Sequence, residues 1–492
     1  MSYAELKSGT DIRGIASPLG GKNVNLTDEA VYDITAAFMV WYVNKFSVDP
    51  SKLLVAVGRD SRITGPQIAS MVKKAVINAG ATVLDCGMAS TPAMFMTTVD
   101  LKADAAIQIT ASHHPFDRNG LKFFIPAGGL DSADISEIVK LADNGEEIIC
   151  TRHGIEIEVN FMSAYAARLR RMICEAVGKS EEDKPLKGYK IVVDAGNGAG
   201  GFYATEVLAR LGADISGSQF LEPDGMFPNH IPNPENKEAM ESICNAVKAA
   251  KADLGIIFDT DVDRAGCVDS DGEEINRNRL IALASYIAVD GSKGAVIVTD
   301  SVTSDGLKEF IEKDLGCVHY RYKRGYKNVI NKAIELNNEG KNCPLAIETS
   351  GHAALKENYF LDDGAYLVTK IIIELAKGKD LKGIISKIKM PVEEREVRFN
   401  ITVPNFKEYG LMVIGELEKF ALSHPEFKVA DDNREGIRVS TKNGWFLLRL
   451  SVHDPVMPMN FESDVAGGID EDISKIRDFL SGFEGLDISA LG

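Results

Sequence analysis

The sequence has few cysteines, no long uninterrupted apolar run and no apolar leader. Its seven cysteines are scattered over 492 residues without any Cys-x-x-Cys pair, which argues against a disulfide framework or structural zinc and predicts reduced thiols in a cytoplasm. The richest apolar stretch, 30–43, is interrupted by Asp33 and is too short to span a bilayer. The first residues, Met-Ser-Tyr-Ala-Glu-Leu-Lys, contain no apolar h-region, so neither a signal peptide nor a membrane partner is expected.

Positive charge is also scarce, because the formal net charge is −17. A nucleic-acid partner would require a basic face, so none is expected. A small anionic substrate remains compatible with this charge, since a cleft can concentrate positive potential locally.

Nucleotide-binding motifs are weak or absent. Residues 177–180 read Val-Gly-Lys-Ser, but a Walker A loop needs a glycine at position 173, which is Ile173. Residues 196–201 satisfy Gly-x-Gly-x-x-Gly between a predicted strand and helix. No second nucleotide-binding feature accompanies this motif, so it indicates a tight strand-to-helix turn rather than a dinucleotide site.

The order of predicted elements indicates four domains. A strand–helix–glycine turn–strand pattern begins near residues 53, 189 and 295, which predicts three βαβ-containing domains. The last hundred residues alternate apolar and polar positions, as strands of an antiparallel sheet do. We predict three similar mixed α/β domains followed by a C-terminal α+β domain with an antiparallel sheet, around a central cleft. The predicted bounds are 1–160, 161–275, 276–390 and 391–492, with a helical, lysine-rich segment at 375–390 before the last boundary.

The most informative motif is Thr-Ala-Ser-His-His-Pro at residues 110–115, directly after the apolar run 105–109. A strand that ends in a hydroxyl and two imidazoles places Ser112 on a loop at the carboxyl end of a sheet, where open α/β sheets bind ligands. The loop is expected to be exposed. A serine beside two histidines suits phosphate or proton chemistry better than it suits a packed core.

A second loop carries three aspartates at alternate positions, Asp259, Asp261 and Asp263, after the apolar strand 254–258 and before Arg264. In an extended loop, alternate side chains point the same way, so the carboxylates are expected to converge. Each pair of such charges at ~4 Å repels by roughly 4 kcal/mol at an effective dielectric of about 20. The pattern therefore predicts a bound hard divalent cation, and Mg²⁺ is the expected ion. It does not fit a calcium EF-hand loop, which needs glycine and glutamate where this chain has Arg264 and Ser270.

With both loops considered together, the chain resembles the α-D-phosphohexomutases, the family of phosphoglucomutases, phosphomannomutases and phosphoglucosamine mutases. The resemblance covers essentially the whole chain, with four motifs in the family's order. Residues 110–115 resemble its phosphoserine loop, and residues 259–263 its metal loop. Residues 348–352, Glu-Thr-Ser-Gly-His, are similar to its sugar-binding loop. Residues 449–455 resemble its phosphate loop, usually Arg-Pro-Ser-Gly-Thr-Glu-Pro, with departures at Leu450, Val452 and His453.

The resemblance also implies roles for particular residues. Ser112 would be the phosphorylated residue, and Lys122 of the segment Asn-Gly-Leu-Lys at 119–122 is the family's candidate base. Arg13 of the segment Asp-Ile-Arg-Gly would reach the phosphoserine. The implied catalytic residues are Ser112, His113, Lys122, Arg264 and Arg13. The implied metal ligands are Ser112, Asp259, Asp261 and Asp263. The implied substrate contacts are Glu348, Ser350, His352, Lys323, Arg324, Gly325, Tyr326, Arg449, Ser451 and His453.

The implied activity is interconversion of hexose 1-phosphate and hexose 6-phosphate, of glucose, mannose or both, with Mg²⁺ and a hexose 1,6-bisphosphate intermediate. Phosphoglucosamine mutase is the nearest alternative, because Glu348 and Ser350 would bind hydroxyls that all three sugars share. A haloacid-dehalogenase-type phosphatase would use Asp259 as its nucleophile, but it leaves Asp263 and the Ser112 loop unexplained. A non-catalytic sugar-phosphate-binding protein is a third alternative, suggested by the altered phosphate loop.

Overall fold

The computed structural model describes residues 2–451 and 454–491, and the chain divides into two units. The first unit is Met1–Leu280 with Ser350–Leu381, and the second is Ile281–Thr349 with Lys382–Gly492. The chain passes between them within the helices Arg277–Val289 and Leu381–Ile385, and between Thr349 and Ser350. Among the described residues, none of the helices has the length and apolar character needed to cross a membrane.

The N-terminal part of the first unit is built on a mixed sheet. Side by side, its strands are Lys7–Ser8, Asp11–Ile15, Arg118–Ile125, Ala105–Ile109, Leu54–Arg59, Thr82–Met88 and Glu156–Glu158, and Gly128–Gly129 also pairs with Arg118–Ile125. The helices of this part are Asp28–Phe46, Gly65–Asn78, Thr91–Asp100 and Ser132–Asp143. The strand Ala105–Ile109 is parallel to Leu54–Arg59 and antiparallel to Arg118–Ile125. Its residues are all buried, as expected for a strand covered on both faces.

The longest helix of this part, Asp28–Phe46, shows how the core forms. Its first turn is capped by the hydroxyl of Thr27, which accepts a hydrogen bond from the backbone N–H of Ala30 at 3.2 Å. The buried side of the helix places the ring of Phe38 against that of Phe123 on the sheet, with centroids 4.6 Å apart. Aromatic pairs at this distance bury a large apolar area.

The rest of the first unit contains a second sheet. Its strands, side by side, are Glu274–Ile275, Ala265–Asp269, Leu254–Phe258 and Ile191–Asp194. The other elements are the helices Phe161–Val177, Lys237–Ala250 and Gly364–Ala376, the π-helical segment Tyr203–Leu208, and the hairpin of Ala353–Leu355 with Leu361–Asp362. Leu254–Phe258 is parallel to Ile191–Asp194 and antiparallel to Ala265–Asp269.

The repeat that begins at residue 189 is less regular than its pattern predicts. The return strand expected after the glycine turn of this repeat is reduced to isolated parallel bridges, Lys190 with Asp214 and Asp194 with Gln219. The chain turns between these bridges, where the N–H of Ser218 donates to the carbonyl of Ile215 at 3.0 Å. This turn interrupts the ladder before a continuous strand can form.

The second unit contains a parallel sheet and an antiparallel sheet. In the parallel sheet, Val296–Asp300 lies between Val318–Tyr322 and Leu345–Ile347. The helical elements beside it are Asp305–Glu309, the π-helical segment Phe310–Asp314 and Tyr326–Asn338. The strands of the antiparallel sheet are, in spatial order, Lys428–Val429, Ile437–Ser440, Gly444–Leu448, Val456–Ser463, Glu393–Ile401 and Leu486–Asp487. The helices Phe406–Ser423 and Gly468–Ser481 accompany it. The predicted fold class, α/β domains followed by a C-terminal antiparallel α+β domain, is confirmed.

The prediction of a helical segment over 375–390 is confirmed only at 375–376 and 381–385. The helix Gly364–Ala376 is closed by Gly378, two residues beyond its last residue, which has φ +75° and donates its N–H to the carbonyl of Leu375 at 2.8 Å. Glycine in this left-handed conformation is a common helix terminator. Only the short helix Leu381–Ile385 follows before residue 390 in the described chain.

Candidate active site

Ser112 lies three residues beyond the buried strand Ala105–Ile109 and is itself only 3% exposed. Its hydroxyl donates to Oδ2 of Asp259 at 3.1 Å and accepts from Nη2 of Arg264 at 3.0 Å. The expectation of an exposed loop is therefore wrong, because the aspartate loop of the second sheet covers the serine. The backbone of Ser112 has φ +51°, in the left-handed region that side chains with a Cβ rarely adopt.

The three aspartates Asp259, Asp261 and Asp263 converge as predicted, since their carboxylate oxygens lie within 4.8 Å of one another. The route to this convergence differs from the expected extended loop. The loop is a tight turn in which Val262 has φ +67° and donates its N–H to the carbonyl of Asp259 at 3.3 Å. A positive φ is unusual for a β-branched residue, so the surrounding structure must hold this turn in place.

The helix Gly364–Ala376 begins directly against that turn. The N–H of Gly364 donates to the carbonyl of Val262 at 3.1 Å. A Cβ at position 364 would lie 2.6 Å from the carbonyl carbon of Arg264 and 2.7 Å from its oxygen. Only glycine permits this close approach of two backbones, and the contact therefore fixes the position of the aspartate loop.

Arg264 connects the aspartate loop with the serine loop. Its Nε donates to Oδ2 of Asp259 at 3.2 Å, and its Nη2 lies 2.5 Å from Nδ1 of His113. Burial lowers the pKa of this guanidinium, but the charges of Asp259 and Asp263 outweigh burial and raise it. Burial, followed by the charge of Arg264, lowers the pKa of His113 to about 2. His113 is therefore neutral at physiological pH.

Lys122 projects from the strand Arg118–Ile125 into the same aspartate cluster. Its Nζ donates to Oδ2 of Asp261 at 3.1 Å and to Oδ2 of Asp263 at 2.5 Å. Burial raises the pKa of Asp263, but the charges of Lys122, His352 and Arg264 outweigh burial, so the net shift is downward. Burial and the carboxylates of Asp263 and Asp261 raise the pKa of Asp259 well above its usual value.

The donor set suits a hard cation. Oδ1 of Asp261 and Oδ1 of Asp263 are buried and accept no hydrogen bond from the described residues. Buried carboxylate oxygens without donors are costly, and oxygen ligands of this kind are those that Mg²⁺ prefers. A metal ion bound by Asp259, Asp261 and Asp263 would satisfy both atoms.

Three further predicted residues belong to the first unit, namely Arg13, His352 and Ser350. Arg13 donates to Oδ2 of Asp11 at 2.8 Å, and its charge helps to lower the pKa of His113. His352 forms a backbone bridge with Arg264, and burial is the main cause that lowers its pKa to about 3. Oγ of Ser350 is buried without a hydrogen-bond partner among the described residues.

In the second unit, Glu348 and Arg324 lie at the carboxyl ends of the parallel strands. Oε1 of Glu348 accepts the N–H of Gly325 at 2.7 Å. Nε of Arg324 lies 3.3 Å from Oδ2 of Asp300. Lys323 is exposed, and Tyr326 begins the helix Tyr326–Asn338.

Arg449 follows the strand Gly444–Leu448 and is 9% exposed. Burial is the main cause that lowers the pKa of Arg449, and the positive charge of Arg324 is the next. The two guanidinium groups are therefore close enough to interact electrostatically. The Nε of Arg449 is buried without a hydrogen-bond partner in the described residues. Ser451 is half-buried, and its Oγ accepts the N–H of Asp454 at 3.3 Å. A phosphate dianion would supply the acceptor that the Nε of Arg449 lacks. The predicted contact His453 lies outside the described residues.

Two residues at the site were not recognised from the sequence. Arg62 is fully buried and donates to backbone carbonyls of the serine loop, including those of His114 and Pro115. Thr91 donates its hydroxyl to Oδ2 of Asp261 at 2.5 Å. The signal available for Arg62 was the polar run Gly-Arg-Asp-Ser-Arg at 58–62 after an apolar strand; Thr91 had no local signal.

Comparison with known proteins agrees with this geometry. Residues 6–148, 164–272 and 276–390 match α/β/α domains I, II and III of phosphoglucomutase/phosphomannomutase. The chain belongs to the phosphoglucomutase/phosphomannomutase family. It is similar to an enzyme named phosphoglucomutase from Neisseria gonorrhoeae, with 29% identity over 94% of this chain and 93% of that protein. It is equally similar to a phosphomannomutase/phosphoglucomutase from Pseudomonas aeruginosa, with 29% identity over 95% of this chain and 92% of that protein.

The fold agrees with a solved structure. A phosphoglucomutase/phosphomannomutase family protein from Burkholderia thailandensis matches with a TM-score of 0.81 and 26% identity, and the match covers 98% of each chain. The likeness therefore extends beyond the three matched domains to the C-terminal antiparallel domain.

Proposed function

We propose that this protein is a phosphohexomutase that interconverts the 1-phosphate and 6-phosphate of glucose, mannose or both through a phosphoserine at Ser112. Family membership supports the reaction class. The observation that carries the assignment is the contact of one buried serine hydroxyl with Arg264 and with a convergent aspartate cluster. Phosphoryl transfer depends mainly on positioning and on stabilisation of negative charge, and this arrangement provides both.

The proposed reaction consists of two balanced transfers. In the first, the phosphorus–oxygen bond at Oγ of Ser112 breaks and a bond to the free sugar hydroxyl forms. The proton of that hydroxyl ends on Oγ of Ser112, and the product is a hexose 1,6-bisphosphate. In the second, Oγ of Ser112 takes the other phosphoryl group, and its proton ends on the sugar oxygen that is released. The enzyme is again phosphorylated, and the phosphate has exchanged ends.

Several residues would stabilise these transfers. The guanidinium of Arg264 already donates to Oγ of Ser112 and would orient the oxygens of the transferring group. Neutral His113 lies beside the same oxygen, with its Nδ1 at 3.3 Å. We assign Lys122 chiefly as a positive charge beside the reacting oxygens, because its pairing with two carboxylates favours the ammonium form. Arg13 contributes further positive charge.

We propose Mg²⁺ as the metal and a hexose 1,6-bisphosphate as the activating intermediate. Asp259, Asp261 and Asp263 would hold the ion, with an oxygen on Ser112 as a further ligand. When bound, Mg²⁺ would offset negative charge on the transferring phosphoryl group.

Other residues are assigned to the sugar phosphate. Glu348 and Ser350 would bind ring hydroxyls, with His352 beside them. Arg449 and Ser451 would bind the phosphate that is not reacting, together with His453. A further substrate-binding loop is proposed in the third domain, at Lys323, Arg324, Gly325 and Tyr326. Arginine suits a phosphate because its planar fork binds two oxygens at once.

Two further proposals concern organisation and location. We propose domain bounds of 1–160, 161–275, 276–390 and 391–492. The enzyme is assigned to the cytoplasm because all seven cysteines are free thiols, which is usual in a reducing compartment.

The decisive experiment is a coupled assay with the 1-phosphates of glucose, mannose and glucosamine, each with its 1,6-bisphosphate. Turnover of glucose or mannose 1-phosphate is expected to exceed that of glucosamine 1-phosphate. The reverse order would assign the protein as a phosphoglucosamine mutase. The assay is needed because Glu348 and Ser350 would bind hydroxyls common to all three sugars and so would not distinguish them.

Intact-mass measurement after incubation with glucose 1,6-bisphosphate separates the remaining alternatives. A mutase gains one stable phosphate that maps to Ser112. A haloacid-dehalogenase-type phosphatase would release inorganic phosphate through Asp259 and leave Ser112 unmodified. A non-catalytic binding protein would bind the sugar phosphate and gain no mass.

A further inference from the structure

Arg62 is a fully buried arginine in the loop that follows the strand Leu54–Arg59. Its Nε lies 3.2 Å from Oδ2 of Asp60, and its backbone N–H donates to Oδ1 of the same residue at 2.9 Å. A guanidinium carries five N–H donors in a planar fork. The Nε of Arg62 is paired with Asp60 by charge only, without a hydrogen bond in the described residues, so the hydrogen bonds of this side chain come from its two terminal nitrogens.

The other donors of Arg62 go to the backbone of the serine loop. Nη1 donates to the carbonyls of Pro115 at 2.7 Å and of Arg118 at 2.9 Å. Nη2 donates to the carbonyl of His114 at 2.6 Å and to the carbonyl of Ser112. One guanidinium therefore collects four carbonyls from a segment of seven residues. No other side chain has a rigid planar set of donors that could do this.

Asp60 fixes the same loop from the other side of Ser112. Oδ2 of Asp60 accepts the hydroxyl of Thr110 at 2.7 Å, and Oγ1 of Thr110 accepts the N–H of Ser112 at 2.8 Å. Both peptide groups of Ser112 are thus connected to the pair Asp60–Arg62. These bonds hold Ser112 at φ +51°, a conformation that its Cβ disfavours.

The second domain covers this arrangement. The ring of Phe227 lies over the guanidinium of Arg62 at 5.2 Å. A Cβ at Gly225 would lie 2.3 Å from the carbonyl oxygen of Ser61 and 2.6 Å from Cα of Arg62, so the two backbones are in direct contact. Water is excluded from the hydrogen bonds of Arg62, which strengthens them.

We propose that Arg62 is the positioning residue of the phosphoryl-carrying loop, and that it fixes the direction of Oγ of Ser112 without contacting the transferring group. This inference rests on the proposed mutase function. A serine that gives and takes phosphate in every cycle must present its oxygen at the same place in both transfers. A misplacement of about 1 Å can cost roughly 100-fold in rate, whereas substrate binding by other residues is unaffected.

The test compares Arg62→Ala and Arg62→Lys with wild type, and uses Arg170→Lys as a matched control. Arg170 also joins a carboxylate to a backbone carbonyl within the first unit, with contacts to Glu181 and Glu206 at 2.8 and 2.7 Å. The measurements are kcat and KM for glucose 1-phosphate, the rate of Ser112 phosphorylation by glucose 1,6-bisphosphate from intact mass, and Mg²⁺ affinity by calorimetry.

Both Arg62 variants are expected to lose about 100-fold or more in kcat and in phosphorylation rate, with KM unchanged and with a much smaller change in Mg²⁺ affinity, because Asp259, Asp261 and Asp263 are not altered. Guanidinium ion at millimolar, non-denaturing concentration should restore part of the activity of Arg62→Ala, and urea at the same concentration should not. Arg170→Lys should match wild type. If Arg62→Ala is poorly folded, Thr110→Val supplies the second test, because it removes the bond to the N–H of Ser112 and leaves Arg62 in place.

Three outcomes would overturn the inference. In the first, Arg62→Ala keeps the wild-type kcat. In the second, the loss of kcat in Arg62→Ala is no larger than the loss of folded protein measured by thermal unfolding, and guanidinium does not restore it, which indicates general loss of structure. In the third, Thr110→Val and Arg62→Lys both turn over at the wild-type rate. Failure of the proposed function is a separate result, since wild type would then neither convert glucose 1-phosphate nor acquire phosphate on Ser112.

Discussion

The hydroxyl of Ser112 donates to Oδ2 of Asp259 at 3.1 Å, although the two residues are 147 positions apart in the chain. Each residue follows a buried strand, Ala105–Ile109 for the serine and Leu254–Phe258 for the aspartate. The carboxyl ends of two different sheets therefore meet at one hydrogen bond. The proposed nucleophile and the proposed metal loop form one connected group, so a change in either should affect the other.

Ser112→Ala should lower kcat by more than about 1000-fold, because no neighbouring group can replace the nucleophile. Since Ser112 is buried and its Oγ has side-chain hydrogen-bond contacts with Asp259, Arg264 and His113, the variant should also lose about 1 kcal/mol for each bond. Steady-state kinetics and a thermal scan measure both effects. Ser285→Ala is the matched control, because Oγ of Ser285 is buried without a partner in the described chain. Wild-type activity in Ser112→Ala would refute the phosphoserine assignment.

Asp261→Asn should weaken Mg²⁺ binding, because the substitution removes one of three converging charges and keeps some oxygen ligation. Activity should fall at low Mg²⁺ and return in part at high Mg²⁺, and EDTA should abolish wild-type activity reversibly. Titration of kcat against Mg²⁺ measures the shift. Asp253→Asn is a control, since Asp253 is exposed and accepts only a backbone N–H in its hydrogen-bond contacts with the described chain. An enzyme indifferent to EDTA would contradict the metal assignment.

The sequence predicted the elements that depend on local pattern. The apolar runs 105–109 and 254–258 are strands with those bounds, because burial on both faces is encoded by consecutive residues. The convergence of the three aspartates was predictable for a similar reason. The turn that produces it was not, since φ +67° at Val262 depends on the contact of the loop with Gly364, a hundred residues away.

Burial of Ser112 was equally beyond reach of a local pattern. A polar loop after a strand is usually exposed, and this loop is covered by Asp259 and Arg264 from a different sheet. The role of Arg62 could not be predicted either. The sequence around Arg62 does not indicate that its partners are the carbonyls of residues 112–118. Long-range contacts of this kind require the fold.

Arg449→Lys should raise KM for hexose phosphate by about 10-fold or more, because an ammonium is a point charge and cannot bind two phosphate oxygens in one plane. The effect on kcat should be smaller. The buried Nε of Arg449, which has no acceptor among the described residues, is the reason to expect a bound anion. Arg395→Lys is the control, since Arg395 is an exposed arginine of the same domain that pairs with Asp470. An unchanged KM would remove Arg449 from the phosphate site.

Glu462→Gln should change how stability depends on pH. Glu462 is buried beside Trp445, whose Nε1 donates to its Oε2 at 2.6 Å. Burial is the main cause that raises the pKa of Glu462 to about 8. The folded protein therefore holds a proton that the unfolded chain releases near its usual pKa of 4.5, and stability falls as pH rises from about 4.5 to 8.

The glutamine variant has no proton to release, so its melting temperature should exceed that of wild type by more at pH 8.5 than at pH 5. Each unit of pKa difference corresponds to about 1.4 kcal/mol of unfolding free energy. The difference in melting temperature between Glu462→Gln and wild type should therefore be measurably larger at pH 8.5 than at pH 5. Glu418→Gln, at an exposed position of the same domain, should show no such trend. Parallel pH profiles for wild type and Glu462→Gln would show that Glu462 is ionised in the folded protein at neutral pH.

Gly364→Ala should lower both stability and kcat, because the new Cβ would lie 2.6 Å from the carbonyl carbon of Arg264. Backbone atoms cannot rotate away from this contact, so the turn that carries Asp261 and Asp263 must shift, and small shifts of catalytic groups are costly in rate. Gly415→Ala provides a matched control. Gly415 also lies in a helix, Phe406–Ser423, but no heavy atom of a neighbouring group lies within 4 Å of its added Cβ. Alanine there should be neutral or stabilise the protein by about 0.5–1 kcal/mol. Thermal scans and kcat for the two variants measure the contrast, and equal behaviour of the two alanines would show that the contact of Gly364 with Arg264 does not determine the position of the aspartate loop.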